Sequence, residues 1–166
     1  ESSPERALQS AQAVVLESAR YNIGTVRRET NVPTLPLWFL EPQNTRRFNF
    51  RKVGEETLSG RRVVVVEYTE IGHPTFIRTP NGDDIVASGR IWAEPTTGRV
   101  HRTLLTASIA SITVNYASRP EVPGLWLPVT MQEEYKSRNL LITGKATYAK
   151  FRQFQVRTSE QIAVPK

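Results

Sequence analysis

The side chains of this chain that could do chemistry are few and poorly spaced for it. Its two histidines are His73 and His101. They lie on different segments, and no HxH or HExxH spacing surrounds either, so each reads as a turn or strand-face residue rather than a metal ligand. Asp83-Asp84 sits in an Asn-Gly turn, where turn chemistry accounts for the carboxylates better than acid-base work does. Glu67 and Glu70 flank a strand end. Glu133 and Glu134 are adjacent on a strand and so point to opposite faces. A carboxylate pair for glycoside hydrolysis would have to converge across strands. There is no GxSxG elbow, phosphate-binding loop or dinucleotide fingerprint. Cysteine is absent, which removes thiolate nucleophiles, thiolate metal sites and disulfides together. The expectation is a non-enzyme with no metal or cofactor.

The net charge of +6 comes mostly from arginine, with lysine only at Lys52, Lys136, Lys145, Lys150 and Lys166. Such a balance suits an anionic partner: nucleic acid, lipid headgroups or acidic glycans. The arginines are scattered, however. The pairs Arg27-Arg28, Arg46-Arg47 and Arg61-Arg62 are short, and no basic run is interleaved with aromatics as in a nucleic-acid module. The plainer reading is a solvated, arginine-rich surface. At 166 residues the chain is long enough to bury a core without staples. No apolar run approaches the roughly 18 residues that span a membrane as a helix. The first residue is Glu1 and the one methionine is Met131, which reads as a piece of a longer product.

The aromatic residues are the better candidates for a site. Trp38, Trp92 and Trp126 are spread over an apolar segment and two strands. Either they fill a core, or they line a cavity with Leu35, Phe39 and Phe50, where large rigid rings supply contact area and shape. The segment VPTLPLWFL, residues 32–40, is the most apolar short stretch of the chain. Pro33 suits the start of a short helix capped by Asn31, and Pro36 is tolerable in its first turn. Leu35, Trp38 and Phe39 are expected on one face. The segment is either a core plug or a cover over an apolar cavity.

The elements that must position these residues are mostly strands. A helix over residues 4–22 opens the chain, with Ser3 as cap, Pro4 in the first turn and an apolar stripe of Ala7, Leu8, Ala11, Val14, Val15 and Ala19. From residue 46 to 158 apolar and polar residues alternate between short turn clusters, as half-buried antiparallel strands require. Residues 54–60 read as a turn region. Four consecutive valines, Val63 to Val66, indicate a strand with apolar surroundings on both faces. Pro95-Thr96-Thr97-Gly98 is a four-residue hairpin connection, with Gly98 placed to take a positive φ. The last strand is predicted over residues 141–156, with a bend near Phe151. Buried positions are expected at Val64, Val66, Ile91, Leu104, Ile112, Val114 and Leu127. The fold class is mainly β with α: a single domain, residues 1–166, built as a curved antiparallel meander or incomplete barrel with the first helix on its concave face.

Two sets of segments carry a family likeness. The hairpin GRIWAEPTTGRV, residues 89–100, with ITVNY at 112–116 and GLWLP at 124–128, resembles bacterial lipoprotein-carrier-like (LolA/LolB-like) periplasmic proteins. The closing ATYAKFRQF, residues 146–154, is similar to the ending of secreted acidobacterial proteins. The resemblance implies an incomplete antiparallel barrel wrapped around helices, with an apolar cavity for acyl chains, in the periplasm or cell envelope or secreted. Carriers lay several helices over that cavity, whereas this chain offers one long helix and the 32–40 segment. The function so implied is an envelope domain that binds a lipid or a lipidated protein, with peripheral membrane contact and no nucleic acid. The ligand-cavity candidates are Leu35, Trp38, Phe39, Phe50, Trp92 and Trp126. The alternative is an interaction or scaffold domain of a larger secreted protein, with a filled core and no ligand.

Overall fold

The computed structural model describes residues 32–79 and 81–152. The helix expected over residues 4–22, its place on the sheet, and the end of the chain beyond residue 152 lie outside the described residues. Within them the protein is mainly β. Seven strands form one antiparallel sheet: β1 (Phe48–Leu58), β2 (Arg61–Glu70), β5 (Ser88–Ala93), β6 (Val100–Ala107), β7 (Ala110–Ser118), β8 (Trp126–Ser137) and β9 (Leu140–Thr147). They stand side by side in that order, and the sheet does not close into a barrel. Two short strands, β3 (Ile77–Arg78) and β4 (Asp84–Ile85), pair with each other in an excursion between β2 and β5. Two single-turn helices, α1 (Leu35–Trp38) and α2 (Pro42–Thr45), precede β1.

The turns explain why the chain meanders. Ser59 and Gly60 both take positive φ, 51° and 77°, which matches the twist of a two-residue hairpin. The 94–99 connection forms as its residues predict. The N–H of Gly98 donates to the carbonyl of Glu94 at 2.9 Å, and Gly98 has φ 69°. The turn region predicted over 54–60 is shorter in fact. β1 runs through it to Leu58, and Gly54 sits at a register shift in the strand, where the extra residue is a bulge. β9 ends at Thr147 rather than continuing toward Phe151, and Lys150 takes φ 58° just after it.

Strand register sorts the side chains onto two faces. On the first face Ile91, Thr103, Val114 and Met131 oppose one another across β5 to β8, with Leu105 and Ile112 in the next row. These join Phe39, Phe48, Tyr68, Ala87 and Tyr116 in the main core. On the second face Val63, Val65 and Trp92 form a smaller cluster with Leu58 and Leu104. Ile91, Ile112 and Val114 are buried as expected. Val64, Val66, Leu104 and Leu127 are only half-buried, while their neighbours Val63, Val65 and Leu105 are fully enclosed. The cause is that both faces of β2 are apolar, so each strand neighbour competes for burial and the second face wins along the valine run.

The 71–87 excursion is held by side chains more than by ladder. The Glu70 carboxylate is buried and accepts the N–H of Phe76 at 2.9 Å and, at 3.4 Å, that of Ala87. Arg47 reaches over from the start of β1. Its guanidinium donates to the carbonyl of Pro74, lies 4.8 Å from the centre of the Phe76 ring and stands 3.7 Å from Glu70. A buried carboxylate that receives two backbone donors offsets its own desolvation by satisfying theirs.

Candidate functional site

Thr34 and Pro36 start α1, and Pro36 itself is buried. A helix this short cannot present a long face. Consecutive residues at its end therefore diverge: Phe39 is wholly buried and Trp38 is 49% exposed. The expectation that Leu35, Trp38 and Phe39 share one face is corrected on this point. Leu35 and Leu37 are half-buried against the main core. The segment is fastened at its other end by the Tyr116 hydroxyl, which donates to the carbonyl of Pro33 at 2.6 Å. Thr103 stands 3.1 Å from the same hydroxyl, and burial pushes the Tyr116 phenol up to about 12.

Around Phe39 the rings of four segments converge. Phe39 stacks on Phe48 with centroids 4.6 Å apart, and meets Tyr68 at 5.7 Å and Phe76 at 5.5 Å. Phe48 in turn contacts Phe50 at 6.0 Å, and Trp38 contacts Phe76 at 5.5 Å. These separations favour offset and edge-on ring pairs. The cluster is dry at Phe39 and open at Trp38 and Phe50. Tyr68 spends its hydroxyl on the carbonyl of Leu104 at 3.0 Å, passing over Gly89. A Cβ at Gly89 would stand 1.9 Å from that carbonyl oxygen. Burial raises the Tyr68 phenol well above its ordinary value.

The structure thus gathers three of the six sequence-derived candidates, Trp38, Phe39 and Phe50, and puts Leu35 on the adjoining core. Trp92 lies on the opposite face of the sheet. Its indole N–H donates to Glu56 at 2.9 Å, and Arg102 lies 5.6 Å from its ring. Trp126 is half-buried near the far end of the sheet, edge-on to His101 at 4.9 Å, with Arg99 over its ring at 4.8 Å. Phe48, Tyr68 and Phe76 complete the aromatic cluster but were not singled out from sequence. Phe48 carried a usable signal, since it alternates with Phe50 along one strand face. Phe76 sits in an irregular excursion and carried none.

Two polar constellations also form. In the excursion, His73 Nδ1 lies 2.6 Å from Asp84 Oδ2, and Asp84 Oδ1 accepts the Thr75 N–H at 2.9 Å. The His73 contact, then the Thr75 bond, holds the Asp84 carboxyl down at about 2. A His-Asp pair becomes nucleophilic machinery only with a hydroxyl or thiol on the other ring nitrogen. The nearby Thr75 hydroxyl is committed elsewhere: it donates to the Ile77 carbonyl at 2.6 Å and accepts the Ile85 N–H at 3.0 Å. Among the described residues no three His, Asp or Glu side chains gather as a metal site would require. The second constellation crosses the sheet. Trp92, Arg102, Asn115 and Thr130 oppose one another on β5 to β8. Arg102 Nε donates to Asn115 Oδ1 at 2.9 Å, and the Asn115 amide donates to the Thr130 hydroxyl at 3.0 Å.

No protein-family model, curated protein or solved structure matches the chain.

Proposed function

We propose that this is a non-enzymatic ligand-binding domain of the cell envelope, and that it holds an apolar ligand, the acyl chain of a lipid or lipidated protein, at the aromatic end of its sheet. The observation that carries the reading is the aromatic cluster, sealed at Phe39 and opening to solvent through Trp38 and Phe50. Rigid rings exposed beside a dry core offer contact area that an acyl chain covers with little loss of conformational freedom. The resemblance implies an incomplete antiparallel barrel around helices, with which an open antiparallel sheet is compatible, and the periplasmic or secreted location belongs to the same proposal.

The test is a titration of the purified protein with a fluorescent fatty acid such as cis-parinaric acid. The parent should bind saturably, and Trp38→Ala should bind at least tenfold more weakly while its circular dichroism is unchanged. No saturable binding by the parent would sink the reading. One observation favours the alternative, an interaction or scaffold domain with a filled core: Phe39 plugs the sheet with no exposed surface. That reading expects the parent to bind no probe and native mass spectrometry to detect no co-purified lipid.

A further inference from the structure

At the other end of the β1–β2 hairpin lies an open groove of about 460 Å³. Phe48 and Leu58 bound β1, and at about 3.3 Å per residue they stand roughly 30 Å apart, so the hairpin-tip wall of the groove is distant from the ring cluster, while Tyr116, which also lines the groove, belongs to the same core. Its walls come from the hairpin tip, Ser59 and Arg61, and from His101, Arg102, Asn115 and Thr130 on β6 to β8. The tip therefore reaches past β5. No acidic side chain is among the described residues that line the groove.

The donors of this groove are in excess of their acceptors. Arg102 is fixed by its Nε bond to Asn115 and by the Trp92 ring, which leaves both terminal guanidinium nitrogens without an acceptor among the described residues. Arg61 has one ion-pair partner, Glu94, at the limiting distance of 4.0 Å. His101 is 8% exposed, and its Nε2 is buried without a hydrogen-bond partner. Buried polar atoms are ordinarily paired, so the orphaned imidazole, with Arg61 near it in a groove that Arg102 also lines, leaves room for an acceptor. A guanidinium anchored at Nε and free at its terminal nitrogens presents a preorganised fork, the geometry that recognises phosphate and carboxylate oxygens.

We infer that this groove is an oxyanion site, and that it takes a phosphate-type group through Arg102 and Arg61, with His101 in the wall near Arg61. The site is independent of the acyl-chain reading. Burial, the largest effect, holds His101 below its ordinary value, helped by Arg61 and Arg99 and opposed by Glu94. An anion bound in the groove adds a negative charge near the imidazole and so raises that value.

The test uses inorganic pyrophosphate as probe, with calorimetry and NMR titration of the His101 ring. The parent should bind saturably, and the His101 titration should move to higher pH when pyrophosphate is present. Arg102→Gln should weaken binding at least tenfold. Arg61→Gln, at an exposed side chain whose loss leaves the strands intact, should weaken it at least threefold, which keeps the test valid if the Arg102 variant fails to fold. Trp38→Ala should leave pyrophosphate binding unchanged, so failure here is separable from failure of the acyl-chain reading. Vesicles containing phosphatidylglycerol assign the source. Vesicle binding displaced by pyrophosphate and lost in Arg61→Gln marks a lipid headgroup, and pyrophosphate binding without vesicle binding marks a free phosphate compound. Absence of saturable binding would overturn the proposal. So would equal weakening by Lys136→Gln, which removes a charge outside the groove and would reveal diffuse attraction alone.

Discussion

The sharpest expectation contrasts two adjacent residues. Phe39 has no exposed surface and packs against Phe48, Tyr68 and Phe76. Phe39→Ala removes a fully enclosed ring and leaves a cavity bounded by three other rings, which cannot collapse into it without breaking their own contacts. The cost for such a change is about 3–5 kcal/mol. Trp38 is 49% exposed, so truncating it removes about half of a buried aromatic's contribution, or about 2 kcal/mol, and leaves no closed cavity. Urea denaturation followed by circular dichroism measures both, provided the slope of free energy with denaturant stays the same across the variants. Phe39→Ala should shift the midpoint about twice as far as Trp38→Ala. A Phe39→Ala loss below 1 kcal/mol, or equal losses for the two, would refute the assignment of Phe39 as the plug of this sheet.

Further expectations follow from single contacts. Gly89→Ala places a methyl 1.9 Å from the Leu104 carbonyl oxygen, so the strands must separate locally; a loss of about 3 kcal/mol or failure to fold is expected by thermal melting. Glu70→Ala leaves the N–H groups of Phe76 and Ala87 without their acceptor and should cost about 2–3 kcal/mol, with amide exchange accelerated over residues 71–87 before the rest of the sheet. Asp84 binds a proton less readily folded, at about 2, than at its ordinary 3.8, so its contribution is complete above pH 4 and is lost as pH falls toward 2. His73→Ala should reduce that acid sensitivity in melting curves recorded across this range, and an unchanged profile would contradict the pairing.

The meander was legible because its strands alternate and its turns carry their own residues. Gly98 after Pro95-Thr96-Thr97 and Gly60 after Ser59 each supply the positive φ that a tight return needs. What could not be read was the choice of face. In the run Val63 to Val66, and in the pair Ile91-Trp92, apolar side chains point both ways, so no alternation says which side meets α1. Trp92 was grouped with Trp38 and Phe50 for this reason, although it packs on the second face with Val63 and Val65. Of the candidate site, Trp38, Phe39 and Phe50 were recoverable as large rings in apolar segments. The groove was not, since Arg61 on β2 and His101 and Arg102 on β6 come to line one groove only through the register of the sheet. Gly89 shows no special role in the sequence, and only the close Leu104 carbonyl, with the Tyr68 hydroxyl bonded to it, reveals why no side chain fits.

The excursion between β2 and β5 also has a kinetic meaning. Every other neighbouring pair in the large sheet is joined by a short return, so those ladders zip locally. Joining β2 to β5 requires residues 71–87 to close a loop roughly eightfold longer than a two-residue hairpin, at an added entropic cost of about 2 kcal/mol, taken as about 0.6 kcal/mol per doubling. The expectation is that β1–β2 and β5 to β9 form as two units and dock last, so that Val66→Ala on the seam should slow folding less than it speeds unfolding in stopped-flow kinetics. Val65-Trp92 and Val66-Ile91 lie on that seam, one pair on each face. The same two apolar faces that obscure the strand's orientation thus give the late step a driving force on both sides.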